Sequence, residues 1–111
     1  MSHKYVLYSP GYGAGWSSWA YPDAVARYAA SYKPLIDFIL AGGKPSTLDE
    51  NSPIVAQFLA DLKRDTGCDT FYLGGLRQLT VYKLPHDALY RITEYDGSES
   101  VETMAGTEWW S

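Results

Sequence analysis

LYRITEYDGSESVETM, residues 89–104, decides the fold class. Two runs of strand-favouring residues, Leu89–Tyr95 and Ser98–Met104, flank Asp96-Gly97. That dipeptide suits a two-residue turn whose central residues both sit at positive φ. Such a turn fixes the register of the hairpin. Tyr95 falls opposite Ser98, Glu94 opposite Glu99, Thr93 opposite Ser100, Ile92 opposite Val101, Arg91 opposite Glu102 and Tyr90 opposite Thr103. Ile92 and Val101 mark the core face. Arg91, Thr93, Tyr95, Ser98, Ser100 and Glu102 share the other, with Arg91 and Glu102 as a favourable cross-strand pair. Glu94 opposite Glu99 is the anomaly, because two like charges meet on the core side. Two accounts are open. The hairpin tip protrudes and both acids are solvated, or they await a partner: Arg77, Lys83, a base amino group or a divalent ion.

Upstream of the hairpin the pattern changes to helix. Ser52 reads as N-cap, Pro53 as the first helical residue and Gly67 as the stop. Between them Ile54, Val55, Phe58, Leu59 and Leu62 form one apolar face, and Lys63 and Arg64 suit the last turn. Pro22 opens a helix that runs to about Ala30 or Tyr32, and Pro34 to Ala41 forms another, ended by Gly42-Gly43. Three further runs read as β: Lys4–Tyr8, Thr70–Leu73 and Leu79–Leu84. The first is apolar on both faces, Tyr5 and Leu7 one way and Val6 and Tyr8 the other, which predicts a central strand covered on each side. The expected architecture is one α+β domain over residues 1–111. It has a small, mostly antiparallel sheet, two or three helices packed on it, and a C-terminal β-hairpin.

Composition narrows the function. With 9 Lys and Arg against 13 Asp and Glu, net charge −4, the chain lacks the basic face that a nucleic-acid polymer requires. A single cysteine, Cys68, precludes an internal disulfide and a cysteine-based zinc site. No apolar run approaches the roughly 18–20 residues of a membrane span, and no leader pattern opens the chain, so a cytoplasmic protein is expected. Ten Tyr, four Trp and three Phe exceed what the centre of so small a core needs, which predicts a pocket or an interface.

The segment Gly11-Tyr12-Gly13-Ala14-Gly15-Trp16-Ser17-Ser18 lies between a strand and a helix. Glycines there let backbone amides approach an anion, and Ser17 and Ser18 add hydroxyls. It is neither a Walker loop nor the dinucleotide fingerprint. One reading is a loop whose Tyr12, Trp16 and Trp19 fold back on the core. The other is a phosphate-binding loop, with Trp16, Tyr12 or Tyr95 stacking on a base, Arg77 and Arg91 neutralising phosphate, and Glu94 or Glu99 accepting from a base amino group. The machinery of catalysis is not evident. His3 and His86 read as solvated, no histidine pair has metal-ligand spacing, and neither serine sits in a nucleophile elbow. No catalytic residue, metal or cofactor is predicted.

Gly11-Tyr12-Gly13-Ala14-Gly15-Trp16-Ser17 together with Glu94-Tyr95-Asp96-Gly97-Ser98-Glu99 resembles a family of small proteins encoded by tailed bacteriophages, and Tyr72-Leu73-Gly74-Gly75-Leu76-Arg77 fits the same pattern. The resemblance covers most of the chain. It implies a setting, the cytoplasm of an infected bacterium, where accessory proteins counter host defence. The first expectation is therefore a non-enzymatic protein that sequesters a small phosphorylated signal such as a cyclic oligonucleotide. Its site would comprise Gly11, Tyr12, Gly13, Gly15, Trp16, Ser17, Ser18, Arg77, Arg91, Glu94, Tyr95 and Glu99. A protein-binding inhibitor of a host defence complex and a small carboxylate-based hydrolase are the alternatives. A homo-oligomer is expected, with Trp109-Trp110 or the loop around Trp16 and Trp19 at its interface.

Overall fold

The computed structural model describes residues 3–11, 15–18, 20, 23–95 and 98–103. Its order is β1 (His3–Tyr8), α1 (Asp23–Ala30), α2 (Lys33–Leu40), α3 (Pro53–Thr66), β2 (Thr80–Pro85), β3 (Tyr90–Tyr95) and β4 (Ser98–Thr103). One-turn 3-10 segments lie at Pro45–Thr47 and Leu76–Gln78. This is the α+β arrangement with a C-terminal hairpin, and α3 has the bounds read from its caps. Gly67 closes it at φ +79°, donating its N–H to the Lys63 carbonyl. Ser52 does occupy the N-cap, yet its hydroxyl accepts from the Asp49 N–H and makes no cap bond to the helix. Pro22, expected to open α1, and the turn pair Asp96-Gly97 lie outside the described residues.

The strands divide into two antiparallel pairs, β1–β2 and β3–β4. The hairpin keeps the predicted register at all six positions, from Tyr95–Ser98 to Tyr90–Thr103. In the other ladder, β1 pairs with a strand nearly at the far end of the chain, from His3–Pro85 to Tyr8–Thr80.

The β1–β2 ladder forms the middle layer. Tyr5, Leu7 and Val81 face the helices and join the main core with Leu35, Val55, Phe58 and Leu62. Val6 and Leu84 face the other way, onto Tyr90, Ile92 and Val101 of the hairpin. The apolar character of both faces of β1 is thus explained by cover on each side. β1 is nevertheless not central in the hydrogen-bonding direction, since β2 is its one paired strand among the described residues.

Thr70–Leu73 corrects the sequence reading. It is irregular, not a strand. The alternation was real: Phe71 and Leu73 pack on the core while Tyr72 is exposed. Alternation reports where side chains point, whereas a strand also needs a neighbour for its backbone.

Among the described residues, part of the aromatic surplus packs inside. Trp16, Phe58 and Phe71 meet edge-on or tilted at centroid distances of 4.8–5.2 Å, and Tyr32 packs on Phe58 at 4.9 Å. Two tyrosine hydroxyls turn outward to tie α1 and the start of α2 to α3. Tyr28 donates to Asp65 at 2.6 Å and Tyr32 to Asp61 at 2.7 Å, while Arg64 pairs with both acids. Burial, then the bond to Asp65 and the nearby acidic charges, push the Tyr28 hydroxyl up to about 12 from its ordinary 10.0. Burial, then its own bond to Asp61, raises Tyr32 as well. The fold therefore favours the neutral hydroxyls. Their contribution is complete below the unfolded pKa of about 10 and is lost as pH rises through the folded value. Tyr28→Phe is expected to flatten the fall in stability between pH 10 and 12, measured by urea unfolding across that range. An unchanged slope would contradict this coupling.

Candidate functional site

Three of the sequence motifs do converge, at the point where β1 ends. Beyond Tyr8 the chain leaves the β2 ladder, and Ser9 turns its backbone toward the start of β4. The Glu99 N–H donates to the Ser9 carbonyl at 2.7 Å, and the Ser9 N–H donates to Glu99 Oε1 at 2.9 Å. The other carboxylate oxygen, Oε2, accepts from the Trp16 N–H at 2.7 Å, the Ser18 N–H at 2.8 Å and the Ser18 hydroxyl at 2.5 Å. Ser98 adds a bond from its hydroxyl to the Pro10 carbonyl at 2.7 Å. Glu99 is only 2 % exposed.

The glycine-rich loop therefore has the anion-binding chemistry read from its sequence, but the anion is the chain's own Glu99. The amides of Ser9, Trp16 and Ser18 are not consecutive, yet they converge on one carboxylate as backbone amides converge on a phosphate. A carboxylate offers about four lone-pair sites, and the described residues bring four donors to them. This settles the Glu94–Glu99 anomaly. The pair is in register, but Glu99 is buried in the loop while Glu94 is exposed, so the two charges are not left facing each other in a common environment. It also corrects the expectation that Glu99 is solvated or awaits Arg77, Lys83, a base amino group or a divalent ion.

The glycine pair joins the same junction. A Cβ on Gly75 would come within 2.6 Å of the Gly15 carbonyl oxygen and 3.1 Å of Ser9 Cβ. Its φ of −87° is ordinary, so close backbone approach is what demands glycine there. Trp16 is a second correction. It is 1 % exposed, and its indole N–H donates to the Ala29 carbonyl at 2.9 Å, so it is a core residue and not a stacking surface. Ser17 is fully enclosed, and its hydroxyl has no hydrogen-bond partner among the described residues.

The remaining predicted site residues stand apart. Arg77 uses Nε and a terminal nitrogen on the Ser46 carbonyl, at 3.1 and 2.9 Å, and so braces the two 3-10 turns. Arg91 pairs with Glu102 at 3.0 Å on the outer face of the hairpin, as the register predicted. Tyr95 is 75 % exposed on that outer face. Gly11 sits at the loop entrance against the Gln78 side chain. Tyr12, Gly13, Trp19, Trp109 and Trp110 lie outside the described residues. Among the described residues, no group of three His, Cys, Asp or Glu is placed to hold a metal, and no helix is long and apolar enough to cross a membrane.

Sequence reading missed the concave surface. A cleft of about 520 Å³ runs beside residues His3–Val6 of β1. Its far wall is the Lys33, Ile36, Asp37, Leu40 face of α2, and Tyr90 closes it on the hairpin side. Lys4 Nζ lies 5.5 Å from the centre of the Tyr90 ring. Burial raises the Tyr90 hydroxyl above its ordinary value, with Arg27 pulling the other way. A second cavity of about 320 Å³ adjoins it, shares Ser31 and Tyr90, and carries Arg27. One signal was legible: the apolar stripe of α2 is broader than a core face, and Leu40 at its end stays 48 % exposed. No family model, curated protein or solved structure matches the chain.

Two substitutions test the buried junction. Glu99→Gln replaces one acceptor oxygen by an NH2 that must face donors, and is expected to destabilise by about 1–3 kcal/mol in urea unfolding. Glu94→Gln, at the exposed partner, should change stability by no more than about 0.5 kcal/mol. Ser17→Ala removes a buried hydroxyl that has no partner among the described residues and is expected to be neutral or to stabilise by about 1 kcal/mol. A loss comparable to that of Glu99→Gln would show that the Ser17 hydroxyl is bonded.

Proposed function

We propose that this chain is a non-catalytic binding protein that grips another protein, an inhibitor of a host defence complex, carried by a tailed phage and acting in the bacterial cytoplasm. The phage setting rests on the three motifs quoted above. The protein-binding role rests on what the fold leaves open. The loop expected to take phosphate is filled by Glu99, and Trp16 is in the core. Arg77 and Arg91 are engaged elsewhere on the molecule. What remains is a surface with exposed Tyr72, Tyr82, Tyr95 and Leu40, and the cleft between a strand edge and a helix. The cleft is the observation that carries the reading, because strand edges and helix-lined grooves are recurrent seats for segments of partner proteins.

A second reading keeps the small phosphorylated ligand and moves it to the cleft. Lys4 and Lys33 lie there and Arg27 lies in the adjoining cavity, and both volumes fall in the range of small-molecule sites, about 300–1,000 Å³. In that reading the chain assembles as a homo-oligomer that closes the pocket between subunits.

The experiment is a plating assay on a defended bacterial host that expresses the chain. The wild type is expected to raise phage plating, and Lys4→Glu/Leu40→Glu to abolish the effect with an unchanged urea midpoint. Retained activity in that folded double variant would remove the cleft from the function. Mass spectrometry on the denatured wild-type protein separates the readings, since a released nucleotide would favour the small ligand.

A further inference from the structure

The edge of β1 away from β2, which no strand of the described residues covers, has a defined polarity. Pro85, opposite His3, has no N–H, so that position cannot be a mutually bonded pair. The bonded pairs then fall at Lys4–Leu84, Val6–Tyr82 and Tyr8–Thr80. His3, Tyr5, Leu7 and Ser9 must point their N–H and C=O groups away from β2. Ser9 confirms the phase, because both of its backbone groups bond to Glu99 on that side. At this edge β4 therefore engages β1 at Ser9 and then diverges with the hairpin. The cleft opens along His3 and Tyr5, where the groups left unpaired by β2 are directed.

The two walls of the cleft differ in chemistry. Tyr5 and His3 lie on the helix-facing side of β1, with Ile36 and the exposed Leu40 across from them. Lys4 lies on the hairpin-facing side, over the Tyr90 ring. Lys33 stands at the α2 wall, paired with Asp37 at 3.0 Å. An added strand presents alternate side chains to these two walls. Its residues opposite His3 and Tyr5 meet Ile36 and Leu40, with the Lys33–Asp37 pair beside them, and those opposite Lys4 meet a cation on a protein of net charge −4.

We infer that β1 is completed by an extended segment of the partner protein in which apolar and acidic residues alternate, added as a third strand to the β1–β2 ladder. The inference rests on the protein-binding reading and specifies its mode. Main-chain bonds to His3 and Tyr5 supply the attachment, and the alternation supplies selectivity. Lys4 has a second consequence in the unbound protein: a charge on an edge strand discourages pairing with another copy of the same edge.

The test uses the full chain and capped peptides of about seven residues, long enough to span β1. One alternates Val and Glu, and one alternates Val and Lys. Amide hydrogen exchange is followed by NMR. In the free protein the Tyr5 amide is expected to exchange far faster than that of Val6, which is bonded to β2. Saturating Val–Glu peptide should slow Tyr5 by at least about tenfold and leave Val6 unchanged, with the Val–Lys peptide binding at least about tenfold more weakly. His3→Pro, which removes one outward N–H and spares the β2 ladder, should weaken the Val–Glu peptide. A Tyr5 amide already as protected as Val6, or equal binding of the two peptides, overturns the inference. If Lys4→Glu/Leu40→Glu abolishes the plating effect while Tyr5 exchange ignores the peptide, protein capture stands and strand addition fails.

Discussion

A carboxylate surrounded by four donors holds this fold at its one point of convergence. Glu99 joins the end of β1, the exit of the glycine-rich loop and the start of β4. Without it three backbone amides and a hydroxyl would be enclosed with no acceptor, each at a cost of about 1–3 kcal/mol. With it, the hairpin has a fixed position against the middle layer, and the Val6, Leu84, Tyr90 cluster can form between them. Among the described residues no cation takes part. Amides whose directions the backbone has already set offset part of the cost of burying the carboxylate, and one ion is desolvated where a buried ion pair would desolvate two.

The sequence made local geometry legible and left tertiary partners hidden. The hairpin register followed from Asp96-Gly97 alone, because a two-residue turn leaves no freedom in pairing. The bounds of α3 followed from Pro53 and Gly67, one lacking an N–H and the other adopting positive φ. The glycine loop was legible as either a cover for the core or an anion seat, since both readings fit its backbone and its aromatics. Which anion fills it depends on a contact between residues 9 and 99, and no local pattern encodes such a contact. The like-charged pair at Glu94 and Glu99 was the available trace of it. An acid on a core face is a request for donors, and the loop with spare donors stood elsewhere in the same sequence.

Thr70–Leu73 shows the complementary limit. Its alternation places Phe71 and Leu73 in the core as a strand would, but the ladder is absent. The cleft was hidden for a related reason. Its walls come from β1, α2 and β3, and each contributes residues that look unremarkable alone: a lysine in a short strand, an exposed leucine at a helix end, one tyrosine among ten. Only their juxtaposition makes a surface.

The pairing of β1 with β2 joins residues 3–8 to residues 80–85, and Ser9 reaches Glu99 across 90 positions. During synthesis the first strand emerges from the ribosome long before either partner exists. Leu7 is covered by the helices that follow it, but Val6 must wait beyond them for the hairpin that covers the other face. Contacts so distant in sequence slow the search for the native state, because the loop entropy is lost before the contact is gained. The Val6 and Leu84 face therefore stays open until the hairpin of β3 and β4 has been made.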